Sequence, residues 1–363
     1  MEKRMLSTLE CPDGYEIAED VFNSYGSLII TKNTIVNESI RQKLVAFKVD
    51  RIAACKQTRM IEQVKRIEQT KRIDNVNNPK ADIIAFKIKY QDSVNSVKVI
   101  INDLAAGRGL DNERINEISD SLYENMYSNI AVTECLNKIK IVDEYTYSHC
   151  INVSLYSMLI GKWLELPESE IKLLMIAGIL HDVGKAKIPI EILNKKGPLT
   201  QEEFEVIKLH PFLGFEIIKD NAGINKKVKD AVLMHHEKEN GTGYPFGINS
   251  ESISSFAKII SIADAFDALT SERVYKKRQT PFDTFRDFER IGIGEGHYDP
   301  GILLKFIHNI SQYYVGSRVR MSTGKFGEIV YVPPHNISNP VVRVDGSFID
   351  LSVQRGMKII EMM

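Results

Sequence analysis

Leu173-Leu-Met-Ile-Ala-Gly-Ile-Leu-His181-Asp182-Val-Gly-Lys185 is the stretch on which the fold turns. Leu173 to Leu180 is the most apolar run in the chain, and a histidine and an aspartate close it. A carboxylate at the end of such a run costs several kcal/mol unless it is paired or bound to a metal. Apolar residues at helical spacing continue on both sides, through Ile151 to Leu164, Phe204 to Leu209, Val228 to Met234, Phe256 to Leu269 and Ile302 to Ile310. Pro167, Pro189, Gly197-Pro198 and Pro281 punctuate them, and Thr200-Gln-Glu-Glu203 has the form of a capping box at a helix start. Residues 126–315 therefore read as an all-helical bundle. Asp264 and Asp267 lie three apart in Ile259-Ile-Ser-Ile-Ala-Asp-Ala-Phe-Asp-Ala-Leu269, which puts both on one helix face. Five of the eight histidines (His149, His181, His210, His235, His236) fall in the bundle before residue 240. A bundle that points imidazoles and carboxylates inward is a standard scaffold for a di-metal centre. A set of unrelated buried pairs would need several separate explanations.

Outward from the bundle the texture changes twice. Ser27 to Thr31 and Arg51 to Ala54 read as strands and Asn37 to Phe47 as a short helix, a small N-terminal α/β segment over residues 1–60. Residues 61–125 read as a helical linker or sensor, with Ile61 to Glu68, Ser93 to Ala106 and Glu113 to Ile139 helical and a break at Asn75 to Pro79. After the bundle, Arg318-Val-Arg, Gly327 to Val332, Val341 to Val344 and Phe348 to Leu351 alternate apolar and polar residues. Residues 316–363 are accordingly expected to form a small β-barrel-like domain. The fold class expected is mainly α. The 363 residues carry 47 Lys plus Arg against 48 Asp plus Glu, so no global charge draws the chain to a nucleic acid polymer or an anionic membrane. Neither a signal peptide nor a membrane span is visible, and Cys11, Cys55, Cys135 and Cys150 lack metal-type spacing. A soluble cytoplasmic protein with reduced thiols is expected.

His181-Asp182-Val-Gly-Lys185 and His235-His-Glu-Lys-Glu-Asn-Gly-Thr-Gly-Tyr-Pro245 resemble the two signature segments of the HD-GYP family. Members of that family are bacterial cyclic di-GMP phosphodiesterases, a branch of the HD metal-dependent phosphohydrolases. Tyr145 to His149, Leu209 to Gly214, Ala263 to Thr270 and Tyr298-Asp-Pro300 agree in order and spacing. The resemblance covers residues 126–315 and implies an HD-type bundle. It implies metal ligands at His149, His181, Asp182, His210, His235, His236 and Asp264, with Asp182 bridging two divalent transition-metal ions, iron or manganese by family precedent. Two such ions would activate a hydroxide for in-line attack on a phosphodiester. Asp182 and Lys185 would be catalytic, and Lys185, Gly243, Tyr244, Arg273 and Lys276 would bind the substrate. Lys277 and Arg278 read better as a solvated basic stretch.

The implied reaction is hydrolysis of cyclic di-GMP to pGpG and onward to GMP. The alternatives are a non-catalytic cyclic di-GMP receptor or docking module, and a phosphodiesterase for another dinucleotide such as cyclic GMP-AMP. Two departures from the family pattern stand out. Asn240 replaces an aspartate, which is expected to alter only loop hydrogen bonding. Tyr145 occupies the place of a glutamate that recruits a third ion in some members, with Glu144 pointing about 100° away, so two ions per chain are expected. A homodimer and a protein partner at the Gly241 to Pro245 loop are left open.

Overall fold

The computed structural model describes residues 3–12, 15–22, 28–30, 32, 34, 36, 38–56, 79–124, 145–195, 197–271, 279–354 and 356–363. The chain divides into two compact units, Met1–Ala81 and Asp82–Met363.

In the first unit, β1 (Arg4–Ser7), β5 (Arg51–Lys56) and β2 (Tyr15–Ile17) form an antiparallel sheet in the order β1-β5-β2. A second ladder joins β3 (Val21–Phe22) to β4 (Leu28–Ile30), and α1 (Glu38–Ala46) completes the unit. Ile17, Ile30, Val36, Leu44, Ile52 and Ala54 contribute to its apolar core. The connecting helix expected over Ile61 to Glu68 lies outside the described residues.

Helix α2 (Pro79–Ala105), all but its first residues, and α3 (Asn112–Glu124) belong to the second unit. The bundle continues with α4 (Tyr145–Trp163), α5 (Glu168–Leu180), a 3-10 turn (Val183–Lys187), α6 (Ile190–Leu193), α7 (Gln201–Ile207), α8 (His210–Ile218) and α9 (Lys226–Met234). Then follow α10 (Ser255–Thr270), α11 (Pro281–Asp287), which runs on into a π turn, and α12 (Pro300–Gln312). The helix starts are chemically marked. Thr200 and Glu203 form the reciprocal capping box, and Asn225, Ser254, Thr280 and Asp299 each accept an amide proton from the first turn they precede. Pro281 and Pro300 add the first-turn proline that needs no amide partner.

Helix α5 is the hub. Leu174 to Leu180 are all buried, as an all-round apolar helix requires. Gly178 lets it lie against α4, because a Cβ there would meet the Ser154 Cα at 2.6 Å. Gly184 does the same for the turn after Asp182, where a Cβ would come within 2.0 Å of the His210 carbonyl oxygen. These two glycines set how closely the elements that carry His149, Asp182 and His210 approach one another. Phe86, Tyr90, Val94 and Val97 of α2 and Ile115, Ile118 and Leu122 of α3 enter the same core. The helix expected from Glu113 is observed as far as Glu124, beyond which residues 125–144 lie outside the description.

The tail is antiparallel in the order β10-β6-β7-β8-β9, with β6 (Arg318–Met321), β7 (Phe326–Tyr331), β8 (Val341–Val344), β9 (Ser347–Asp350) and β10 (Ile359–Met362). Val319, Met321, Val342 and Val344 point into the helical core while Arg318 and Arg343 face out, the alternation a one-sided sheet shows. No ladder joins β9 to β10 among the described residues, so the barrel-like tail expected from the sequence is here a sheet without closure. No helix among the described residues is long and apolar enough to cross a membrane.

Candidate metal centre

The site is built mostly from helix ends. His181 follows the last residue of α5, His210 opens α8, and His235 follows the last residue of α9, with His236 next to it. Each of the first three folds its ring back so that Nδ1 meets the carbonyl oxygen three residues earlier. These bonds are His181 to Gly178 at 2.8 Å, His210 to Ile207 at 2.8 Å and His235 to Val232 at 2.9 Å. A carbonyl can only accept, so Nδ1 carries the proton in all three and Nε2 offers a lone pair to the interior. His149, in the first turns of α4, is held differently: its Nδ1 lies 2.7 Å from Asp267 Oδ2.

Asp182 stands between the rings. Its Oδ2 is 3.3 Å from His181 Nε2 and 3.8 Å from His149 Nε2, while its Oδ1 is 3.2 Å from His210 Nε2. His210 Nε2 is in turn 3.2 Å from His235 Nε2. Asp264 closes the ring of ligands, with Oδ1 3.1 Å from His149 Nε2 and Oδ2 3.9 Å from His236 Nδ1. Two groups of donor atoms emerge, one of His149, His181 and Asp182, the other of His210, His235 and His236, each compact enough to hold one ion.

The donor set fits a divalent metal. The two lone pairs of His210 and His235 face each other with no proton between them, which is repulsive without a cation. His181 Nε2 and Asp182 Oδ1 are fully buried with no hydrogen-bond donor in reach, an arrangement costly for a protein interior unless an ion is bound. Charges agree. Burial holds His235 and His236 well below their ordinary values, His236 at about 3, so both stay neutral as ligands must. Burial would raise the Asp182 carboxyl, but the Lys185 ammonium beside it holds it well below the usual carboxylate range. Burial likewise pulls His149 down, yet Asp264 and Asp267 outweigh it and lift it to about 9, the mark of a pocket that demands positive charge at that ring. Imidazole with carboxylate suits a transition metal better than magnesium or calcium.

The structure thus brings together all seven residues singled out as ligands, and Lys185 with them, its Nζ 2.5 Å from Asp182 Oδ2. The Tyr244 ring packs 4.6 Å from that of His236, tilted by 31°, on the side where His236 and Asp264 are most exposed. Gly243 lies against the chain itself, since a Cβ there would meet Glu237 Cα at 2.5 Å. Asn240 donates to the Glu295 carbonyl and accepts from Thr242, so its part is in loop bonding as expected. Arg273 and Lys276, and the Lys277 and Arg278 beside them, lie outside the described residues, as do Glu144 and the side chain of Tyr145.

Three roles escaped the sequence. Asp267 was visible as the same-face partner of Asp264, but not that both carboxylates grip the two nitrogens of one imidazole. Glu237, buried beside the paired histidines, turns away and accepts from the Phe246 and Ile248 amides, fastening the Gly241 to Pro245 loop. Asn152, three residues after His149, donates to Asp267 Oδ1 at 2.8 Å; its spacing on α4 was the available signal.

Comparison with known proteins agrees with this geometry. Residues 131–302 match the HD domain family. The chain is 33% identical over 249 residues to a Pseudomonas aeruginosa protein named cyclic di-GMP phosphodiesterase PA4108, covering 69% of this chain and 59% of that one. These likenesses support placing the chain with the HD-GYP family. Another similar protein, from Vibrio cholerae, is named 3'3'-cGAMP-specific phosphodiesterase 3 and is 37% identical over 140 residues, 38% of this chain and 30% of its own length. The chain thus spans less than two thirds of either relative. The HD-GYP fold is also seen in the solved structure of Bd1817, a HDG"Y"P protein from Bdellovibrio bacteriovorus. That structure superposes with a TM-score of 0.56 at 18% identity, covering 84% of this chain and 98% of the other.

Proposed function

We propose that this chain is a metal-dependent phosphodiesterase that hydrolyses cyclic di-GMP to pGpG and onward to GMP, working with two divalent ions, iron or manganese. The observation that carries the reading is Asp182, whose two oxygens face the two histidine groups while its Oδ1 and His181 Nε2 lack any hydrogen-bond donor. His149, His181 and Asp182 Oδ2 would hold one ion, and Asp182 Oδ1, His210, His235 and His236 the other, with Asp264 between them. Bound there, the ions supply Lewis acidity to the phosphoryl oxygens and an acidified water for in-line displacement. The chain's own part is to orient and to exclude water. The carbonyls of Gly178, Ile207 and Val232 fix three ring tautomers, and Asp267 fixes the fourth. Lys185 brings a cation to the site, and Arg273 and Lys276 are assigned to the substrate phosphates by the family pattern. Gly243 and Tyr244 are assigned to the loop wall over the substrate, the Tyr244 ring standing on the open side of the centre.

The cyclic GMP-AMP relative favours a second substrate with the same phosphodiester chemistry, because nothing among the described residues separates guanine from adenine. The cytoplasm as compartment, a homodimer, and a protein partner at the Gly241 to Pro245 loop complete the proposal. The test is incubation of the purified chain, loaded with manganese or ferrous iron, with each dinucleotide, followed by chromatography. Appearance of pGpG from cyclic di-GMP supports the reading. Tight binding without product from either dinucleotide would make the chain a receptor instead.

A further inference from the structure

Asp267 sets a polarity that travels outward from the centre. An ionised carboxylate only accepts, so the Asn152 group 2.8 Å from Asp267 Oδ1 must be the amide NH2. The Asn152 carbonyl oxygen therefore points the other way, where the Tyr90 hydroxyl lies 2.7 Å from it. That oxygen only accepts, so Tyr90 must donate. The phenol has one proton, and the Ser148 carbonyl at 3.4 Å is the poorer acceptor for it. Ser271 Oγ adds a second donor to Asp267 Oδ1 at 2.9 Å. Tyr90 thus donates to Asn152 and Asn152 to Asp267, which also accepts from His149 Nδ1, and this assignment leaves His149 Nε2 aimed at Asp182 and Asp264.

Tyr90 is almost wholly buried, and burial together with Asp267 pushes its hydroxyl far above the ordinary tyrosine range, so it stays protonated and remains a donor. It belongs to α2, outside the residues that match the HD domain.

We propose that Tyr90 is a positioning residue of the metal centre, through which a helix outside the HD domain locks the orientation of His149. The proposal rests on the metal-centre reading above and adds to it a contribution from α2. Without the hydroxyl, the Asn152 carbonyl loses the donor that fixes it, and its amide is free to turn over and present oxygen to Asp267. His149 then loses the fixed carboxylate that orients it.

Tyr90→Phe keeps the ring and removes only the donor. Divalent metal affinity is measured by titrating metal-stripped protein with Mn2+ against a competing chelator, for wild type, Tyr90→Phe, Asp267→Asn and the double variant. Tyr156→Phe, a buried hydroxyl deletion elsewhere on α4, serves as packing control. The expected result is about a three- to tenfold loss of affinity for Tyr90→Phe, the range one net hydrogen bond covers, and no change for Tyr156→Phe. The double variant should be no weaker than Asp267→Asn alone, because Tyr90 acts through Asp267. Equal affinity of wild type and Tyr90→Phe, or losses that simply multiply in the double variant, would overturn the inference and leave the metal centre standing. A wild-type protein that takes up no divalent metal would overturn both.

Discussion

The two halves of the centre are held by different means. The His210, His235 and His236 half is braced mainly by main chain, with the Ile207 and Val232 carbonyls holding two of its rings, and it opens toward solvent at His236. The His149, His181 and Asp182 half is almost closed, and its first ligand is braced by side chains in the series Asp267, Asn152 and Tyr90. Main-chain bracing uses a carbonyl that every residue type carries, so substituting the Ile207 or Val232 side chain leaves the acceptor in place. Side-chain bracing must be specified residue by residue, and each step is open to change. The open half is therefore suited to exchange of substrate and product, and the closed half to tuning.

The largest effect expected is one that breaks both halves together. Asp182→Ala removes the oxygens facing each histidine group, so metal content and turnover should fall by more than the roughly 10–100-fold that outer-shell changes cost. Circular dichroism should show the helices retained. Next comes a change confined to the closed half. Asp267→Asn should weaken binding of one ion by roughly 10–100-fold while the other keeps its affinity, seen as two separated steps in a metal titration.

How much of this was legible in the sequence follows the same division. The helix-ending histidines could be found because an apolar run stops at His181-Asp182, and local spacing carries that information. The capping box at Thr200 and the strand alternation after Arg318 are local in the same way. Tyr90 and Asp267 are 177 positions apart, so no periodicity joins them, and only the packing of α2 against α4 and α10 does. Glu237 sits among ligands in sequence, and nothing local announces its actual partners, the Phe246 and Ile248 amides that the loop folds back. Closure of the C-terminal strands depends on which edges meet, and alternation is silent on that.

Smaller effects concern substrate binding and the loop. Arg273→Ala should weaken substrate binding about tenfold, the worth of one charge-assisted phosphate contact, with metal content unchanged. Unchanged affinity in a titration would return that segment to a solvated stretch. Glu237→Gln keeps the shape but turns one of the two accepting oxygens into a donor, so one loop bond is lost; stability should fall by about 1–2 kcal/mol and KM rise more than kcat falls. Asn240→Asp, which restores the usual family residue, loses only the exposed bond to Glu295 and should cost under about 1 kcal/mol with no change in metal.

Anomalous diffraction at the metal edge from crystals of the loaded protein tests the central claim most directly. Two fully occupied peaks are predicted, one against His149 and His181, one against His210, His235 and His236, each touching a different oxygen of Asp182. A single peak, three peaks bonded to protein, or a peak pair that leaves Asp182 uncoordinated would contradict the account.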